Sequence, residues 1–457
     1  MFDRFFALFG GDTYQARAIR GSAAVVTRMV GENVIRLGGN LILTRILFPE
    51  AFGLMALVTV VLVATSNFSD VGINPAILQH ERGHDPVFLN TAWTIQIGRG
   101  VILCLAILFL AEPVATFYEA PQLADLLMVA AVVPLIQGFN STKLATARRE
   151  IQLERLVALE IGSQIVGTIA MIVLSLWLQS VWGLMLGTLV GPVFVAVLSH
   201  LVMKGESNRL AFEREACSRI FGFGKYVFFA TIAGFFVHHG DRTILGKYVS
   251  LDDLAIYNIG FFLASVPALL ATTISWNVIY PLYARRPPAD SEANRRKINL
   301  ARRFLTLGML LLMTFLALIG DWLIRVLYDV RYEAAGPILI LVALGGMASA
   351  IIQTYDTMPL ANGHSGRFAF FTTVRAAVLI ACLLLTVPAY GLWGAALAPA
   401  VTAILIYPLL IWAIAPYKGW DPLHDILFAT LAAVLAATVV WVHADTLRAA
   451  FPGQASL

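Results

Sequence analysis

The chain has 457 residues, 59% of them hydrophobic and 13% charged, with a formal net charge of +4 at neutral pH. Soluble domains carry about 25% charged residues, so this composition, with a mean hydropathy of +0.79, excludes an ordinary soluble enzyme and defines an integral membrane protein. The pI near 9.0 does not call for nucleic acid, because basic residues in such a chain hold loops in the cytoplasm.

Hydropathy then orders the chain. Residues 1–21 read as a cytoplasmic or interfacial segment; MFDRFFALFG lacks the apolar core and small-residue cleavage site of a signal peptide. Spans are expected at 22–45, 51–69, 88–110, 123–140, 156–178 and 181–203, an N-terminal six-helix lobe over 22–203. A cytoplasmic linker, 204–219, leads to a second six-helix lobe over 220–415, with spans at 220–239, 253–280, 303–327, 334–358, 367–388 and 391–415. Residues 416–457 add a further span at 424–442, giving about 13 spans in a range of 12–14. Only helices or closed barrels satisfy their backbone in lipid, and spans of this length are helical, so an all-α fold follows. The longest polar stretch, Ala284 to Arg303, is too short to bury a core of its own.

Basic residues orient these spans. With the N-terminus in the cytoplasm, 21 of the 32 Lys and Arg fall inside, among them Lys143, Arg148, Arg149, Arg302 and Arg303, against six outside. A bias of that size fixes topology.

The chain also repeats itself. Thr44-Arg45-Ile46-Leu47-Phe48-Pro49-Glu50-Ala51-Phe52-Gly53 is echoed 202 residues on by Gly246-Lys247-Tyr248-Val249-Ser250-Leu251-Asp252-Asp253-Leu254-Ala255. Leu144-Ala145 recurs as Leu360-Ala361, and Trp182-Gly183 as Trp393-Gly394, each at the equivalent topological place. Six spans separate the copies, so the lobes share one orientation and form a parallel repeat. Gly183, Gly187 and Gly191 match Gly394, Ala398 and Thr402; small residues at this spacing let helices approach closely.

No catalytic constellation stands out. His238-His239 has no partner at metal-site spacing, no GxxxxGK[ST] loop is present, and three cysteines form no metal or disulfide framework. The expectation is a non-enzyme with no cofactor and no metal. Function rests instead on charge within the spans: Arg28, Glu32 and Arg36 at spacings of four in the first, Arg99 in the third, Asp356 late in the tenth and Arg375 in the eleventh. A charge at membrane depth costs about 2.5–3.5 kcal/mol on insertion scales and marks a bundle interior or a watery cavity. Glu32 is placed to pair with Arg36, acid before base at i,i+4. His238 lies 202 residues after Arg36, which suggests symmetric lumen positions. Snorkelling to the interface explains Lys225, Arg242 and Glu160 near span ends. Basic groups outnumber acidic ones, so a cavity lined by them suits an anionic substrate, and arginine clamps phosphate bidentately.

At Leu43-Thr44-Arg45-Ile46-Leu47-Phe48-Pro49-Glu50-Ala51-Phe52-Gly53, followed by Ser69-Asp70-Val71-Gly72-Ile73 and Ala76-Ile77-Leu78-Gln79, the sequence resembles the bacterial polysaccharide exporters. These are the oligosaccharide flippases (O-antigen and exopolysaccharide) of the multidrug/oligosaccharidyl-lipid/polysaccharide superfamily, and the closest flavour is the colanic-acid-type branch. The turn residues Thr44, Arg45, Pro49, Glu50, Phe52 and Gly53 carry the resemblance. It implies two six-helix bundles around a central lumen in the bacterial inner membrane. Such a protein flips undecaprenyl-diphosphate-linked oligosaccharide units to the periplasmic leaflet by alternating access, coupled to H+ or Na+. Association with a polysaccharide polymerase is a further implication. Arg28, Arg36 and Arg99 become headgroup contacts, joined by His238 and Arg375, with Glu32 and Asp356 as ion-coupling candidates. Three alternatives stand beside this: a drug or cation antiporter of the same superfamily, which wants acidic lumen residues; a lipid II flippase; and a membrane glycan polymerase or ligase, which wants a large external loop.

Overall fold

The computed structural model describes residues 14–69, 72–150 and 153–450. The expected interfacial segment 1–10, the Asp70-Val71 pair of the motif and the side chain of Lys225 lie outside what it describes. Among the described residues every regular element is helical. The chain divides into two compact units, Met1–Ile232 and Ala233–Leu457.

The first unit is built from α1 (Tyr14–Ile46), α2 (Pro49–Asn67), the short α3 (Ile73–Gln79), α4 (Pro86–Phe117), α5 (Gln122–Ala130), α6 (Val132–Gly138), the short α7 (Lys143–Arg149), α8 (Leu153–Leu178) and α9 (Val181–Leu201). Helix α10 (Arg214–Tyr248) runs through the division between the units, which falls inside a helix rather than in the 204–219 linker. The second unit continues with α11 (Leu251–Ala264), α12 (Val266–Ile274), a π turn at Ser275–Ile279, α13 (Tyr280–Arg285), α14 (Glu292–Leu327), α15 (Ala335–Gln353), the short α16 (Met358–Ala361), α17 (Ser365–Ile414), α18 (Pro422–Val442) and α19 (Ala444–Ala450).

Among the described residues, eight helices are long and apolar enough to cross a membrane, or ten if each of two bent pairs is one span. The difference from thirteen has identifiable causes. The first expected span falls in α1, whose charges Arg28, Glu32, Arg36 and Arg45 keep it outside that set, and the seventh falls in α10, where the side chains of 221–230 lie outside the described residues. The eleventh and twelfth lie in α17, 50 residues long and continuous but for Gly391, where φ 53° and ψ −126° break the helix. Glycine takes that conformation without a Cβ penalty.

The repeat seen in the sequence recurs in the elements. Helix α1 ends at Ile46 and α2 starts at Pro49, while α10 ends at Tyr248 and α11 starts at Leu251, each boundary 202 residues later (46 to 248, 49 to 251). One extended residue makes each turn: Phe48 at φ −76°, ψ 156° and Ser250 at φ −64°, ψ 158°. Local chemistry differs. Pro49 has no N–H to lose at the first helical position, and Glu50 complements the helix dipole; in the second copy the Ser250 hydroxyl accepts from the Asp253 N–H at 3.1 Å.

The two Trp-Gly pairs also do one job. A Cβ on Gly183 would sit 2.5 Å from the Ser175 Cα, and one on Gly394 would sit 2.4 Å from the Thr386 carbonyl oxygen. Each glycine lets its helix close onto the helix before it, at a residue eight positions back. Glycines pack α4 on α6 as well, with a Cβ on Gly100 only 2.8 Å from the Pro134 carbonyl oxygen.

The linker is held to the first unit. The backbone N–H groups of Arg209, Ala211 and Glu213 donate to Asn90 Oδ1, Thr94 Oγ1 and Thr91 Oγ1 on α4 at 2.9–3.1 Å. Arg82 ties it further, donating to Asp85 and to Glu213. Asp85 in turn caps α4 by accepting from the Val87 N–H at 2.9 Å. The Arg82 guanidinium and that backbone N–H hold the Asp85 carboxyl below its usual pKa.

Candidate functional site

The charged face of α1 meets α7 and α8 inside the first unit. Arg28 Nη1 donates to Glu160 Oε2 at 2.8 Å, and Arg148 Nη2 donates to Glu160 Oε1 at 2.9 Å. Glu160 was expected to snorkel; its side chain is 19% exposed and bridges two guanidiniums instead. Burial of a carboxylate requires such partners. Glu32 sits 3.9 Å from Arg28 Nε, so its ion pair runs toward the previous turn. Arg36 is exposed and donates to Asn33 Oδ1 at 2.7 Å.

Arg99 and Arg148 line one cavity of about 270 Å³, together with Gln96, Gln137, Asn140 and Thr142. Arg99 donates from Nε to Ser69 Oγ at 3.0 Å and from Nη2 to the Ser66 carbonyl at 2.7 Å, which turns its guanidinium along the end of α2. Gln96, one turn before it, donates to the carbonyls of Gln137, Gly138 and Asn140 at 3.0–3.1 Å. That amide caps the carbonyls that α6 leaves open at its C-terminal end. The cavity wall is therefore largely polar, with arginines from α4 and α7 both reaching it. Two guanidiniums around a space of this size can hold an oxyanion through charge-assisted hydrogen bonds, the strong class in proteins.

In the second unit Asp356 Oδ2 accepts from Arg375 Nη1 at 2.9 Å, and both side chains are 23% exposed. The other carboxylate oxygen of Asp356 is buried without a hydrogen-bond partner. His238, exposed on α10, lies within electrostatic reach of both. Arg242, also expected to snorkel, donates to Asn258 Oδ1 and lies 4.3 Å above the Phe261 ring. Its neighbour Asp241 accepts from the buried Tyr257 hydroxyl at 2.7 Å.

A second ionic cluster, unforeseen from hydropathy, closes one end of the second unit. Arg302, counted above as a cytoplasmic loop residue, is fully buried. Its guanidinium lies 3.5 Å above the Tyr355 ring and donates to the Gly419 carbonyl at 2.9 Å. Asp425 near the start of α18 accepts from Tyr355 at 2.8 Å, from Tyr407 at 2.6 Å and from the Trp420 indole at 3.2 Å. His424 Nδ1 is 2.7 Å from Asp425 Oδ1, and its Nε2 is 3.2 Å from Thr306 Oγ1. An Nδ1–H donating to the Asp425 carboxylate, with Nε2 facing the Thr306 hydroxyl, satisfies both contacts. The sequence signal was an adjacent His-Asp pair at the start of an expected span, with an arginine near the start of another. Among the described residues no group of His, Cys, Asp and Glu is arranged to hold a metal.

The chain is thus a multi-pass helical membrane protein of two units, with a polar cavity inside the first. Structural comparison agrees: an inward-facing multidrug MATE family transporter of the MOP superfamily aligns at TM-score 0.64 with 14% identity, over 85% of this chain and 95% of that one. The lipid II flippase MurJ in an inward closed conformation aligns at TM-score 0.64 with 13% identity, over 94% of this chain and all of that one. Residues 42–337, well over half of the chain, match the family described as polysaccharide biosynthesis protein, and the chain belongs to that family. It is 23% identical over 337 residues to the succinoglycan biosynthesis transport protein ExoT of Rhizobium meliloti. It is 22% identical over 303 residues to the teichuronic acid biosynthesis protein TuaB of Bacillus subtilis. These alignments cover 71% and 65% of this chain, and 66% and 61% of the relatives' own lengths.

Proposed function

We propose that this protein flips an undecaprenyl-diphosphate-linked oligosaccharide from the cytoplasmic to the periplasmic leaflet of the bacterial inner membrane, for exopolysaccharide, capsule or O-antigen assembly. The observation that carries the reading is the cavity of the first unit, where Arg99 and Arg148 face the same polar space. Membership of a polysaccharide biosynthesis family supplies the substrate class, and the shared chemistry of arginine and diphosphate supplies the fit. The basic-residue bias puts α7, and so Arg148, toward the cytoplasm, where such a lipid-linked unit is made available.

In this reading the six-helix lobes over 22–203 and 220–415 move the substrate by alternating access. The N-terminus is cytoplasmic, and residues 424–442 form a thirteenth span. Arg28, Arg36, His238 and Arg375 add to the cationic character of the path. Asp356, with one oxygen paired to Arg375 and the other unpartnered, is the better candidate for coupling to H+ or Na+, and Glu32 is the second. A cation antiporter fits less well, because arginines rather than free carboxylates line the cavity. The polysaccharide polymerase is the natural partner downstream.

Deletion of the gene in its host tests this directly. The expected result is loss of surface polymer with undecaprenyl-linked repeat units stranded on the cytoplasmic face. Normal polymer in the deletion strain overturns the reading.

A further inference from the structure

Glu160 occupies an unusual position in the first unit. One carboxylate serves two guanidiniums from different helices, with Oε2 2.8 Å from Arg28 on α1 and Oε1 2.9 Å from Arg148 on α7. Neither arginine is saturated by this contact. Arg28 Nε is buried without a hydrogen-bond acceptor, and the nearer carboxylate of Glu32 stands off at 3.9 Å. Arg148 also lines the Arg99 cavity. An anion set between two guanidiniums, one oxygen to each, is the same arrangement that a phosphate oxyanion makes.

We propose that Glu160 is an internal stand-in for the phosphate oxygens of the lipid-linked ligand, holding Arg28 and Arg148 while the cavity is empty and yielding Arg148 to the diphosphate when the headgroup enters. The inference rests on the reading of the cavity as the diphosphate site. Its physical logic is exchange. Two guanidiniums drawn together, 37% and 39% exposed, repel one another unless an anion lies between them, so an empty site is served by a resident anion. A ligand that must displace that anion binds less tightly than one meeting bare arginines, and the returning carboxylate then helps to expel it. A transporter requires release as much as capture, and Glu160 provides for both with one side chain. The contrasting role is a brace, in which Glu160 only ties α1, α7 and α8 together and so presents the arginines correctly.

The two roles predict opposite results. Purified protein in detergent is titrated with undecaprenyl diphosphate, alongside Glu160→Gln and Glu160→Asp. The glutamine keeps the shape and loses the charge; the aspartate keeps the charge but is too short to span both guanidiniums. As a stand-in, removal of the competing charge tightens binding by about tenfold in E160Q, and loss of the bridging reach tightens it by roughly two- to threefold in E160D, the first matching the lower end of a charged hydrogen bond's worth. In proteoliposomes KM and kcat then fall together, because release slows. Unchanged or weaker binding in the variants overturns the proposal and leaves the brace. E160D decides the matter if E160Q does not fold. Wild-type protein that fails to bind undecaprenyl diphosphate at all overturns the diphosphate-site reading itself, a result distinct from wild-type binding with no tightening.

Discussion

Replacing Asp425 by alanine is expected to destabilise the second unit by roughly 3–5 kcal/mol, the cost of breaking a buried ion pair. Asp425 is 4% exposed, and Arg302, 3.8 Å away, is not exposed at all. The substitution removes the acceptor used by Tyr355, Tyr407, Trp420 and His424 in one step. It also strands a guanidinium whose other supports are the Tyr355 ring, the Gly419 carbonyl and the Thr354 hydroxyl. Buried donors without acceptors cost about 1–3 kcal/mol each, so the loss is shared among several groups and is not additive. The control is the Glu292–Arg296 pair on α14, 72% and 79% exposed, where Glu292→Ala changes stability by about 1 kcal/mol or less. Thermal unfolding in detergent checks both: a large fall in midpoint for D425A and almost none for E292A. Equal, small effects would show that the cluster does not anchor α18.

The second large effect is on transport. Arg99→Ala and Arg148→Ala are each expected to lower export by roughly 10- to 150-fold, the range set by about 1.5–3 kcal/mol for a hydrogen bond to a charged group. Membrane insertion should be unaffected. Arg99 lies inside a helix that is otherwise long and apolar, and removing a charge from a span favours insertion. Surface polymer measured in a deletion strain carrying each variant, normalised to protein in the membrane fraction, separates the two effects. Full export by both variants would return these arginines to a packing role. Lysine at either position should restore little, since a point charge does not reproduce the planar fork of a guanidinium.

How much of this was legible in the sequence depended on distance along the chain. The Phe48-Pro49-Glu50 turn is local chemistry, and its echo at Ser250-Leu251-Asp252 could be read because both copies keep the same offset from their helix ends. The Trp-Gly pairs were visible for the same reason, although only the fold shows that each glycine faces a residue eight positions earlier. Hydropathy is a one-dimensional signal; it assigned Glu160 and Arg242 to interfaces because they stand near span ends, and Arg302 to a cytoplasmic loop. Their actual partners are tertiary. Glu160 meets Arg28 across 132 positions, and Arg302 meets the Gly419 carbonyl across 117. No periodicity encodes such pairs. Arg148 was read as a topological marker for the cytoplasm, and nothing in its neighbours announced that α7 would turn it into a cavity. Arg99 was the exception. A lone arginine in the middle of an apolar helix is costly enough to call for a polar surrounding, and Arg99 lines a polar cavity.

The most direct measurement uses purified protein in liposomes that contain an undecaprenyl-diphosphate-linked oligosaccharide and a membrane-impermeant reagent reporting glycan in the outer leaflet. The reagent first modifies the exposed half, and further modification then follows arrival from the inner leaflet. If this chain is a flippase that uses the two arginines, wild-type protein gives transfer well above that of protein-free liposomes, and R99A or R148A reduces it roughly 10- to 150-fold. Wild-type transfer no faster than in protein-free liposomes, or equal transfer by wild type and both variants, would contradict that reading.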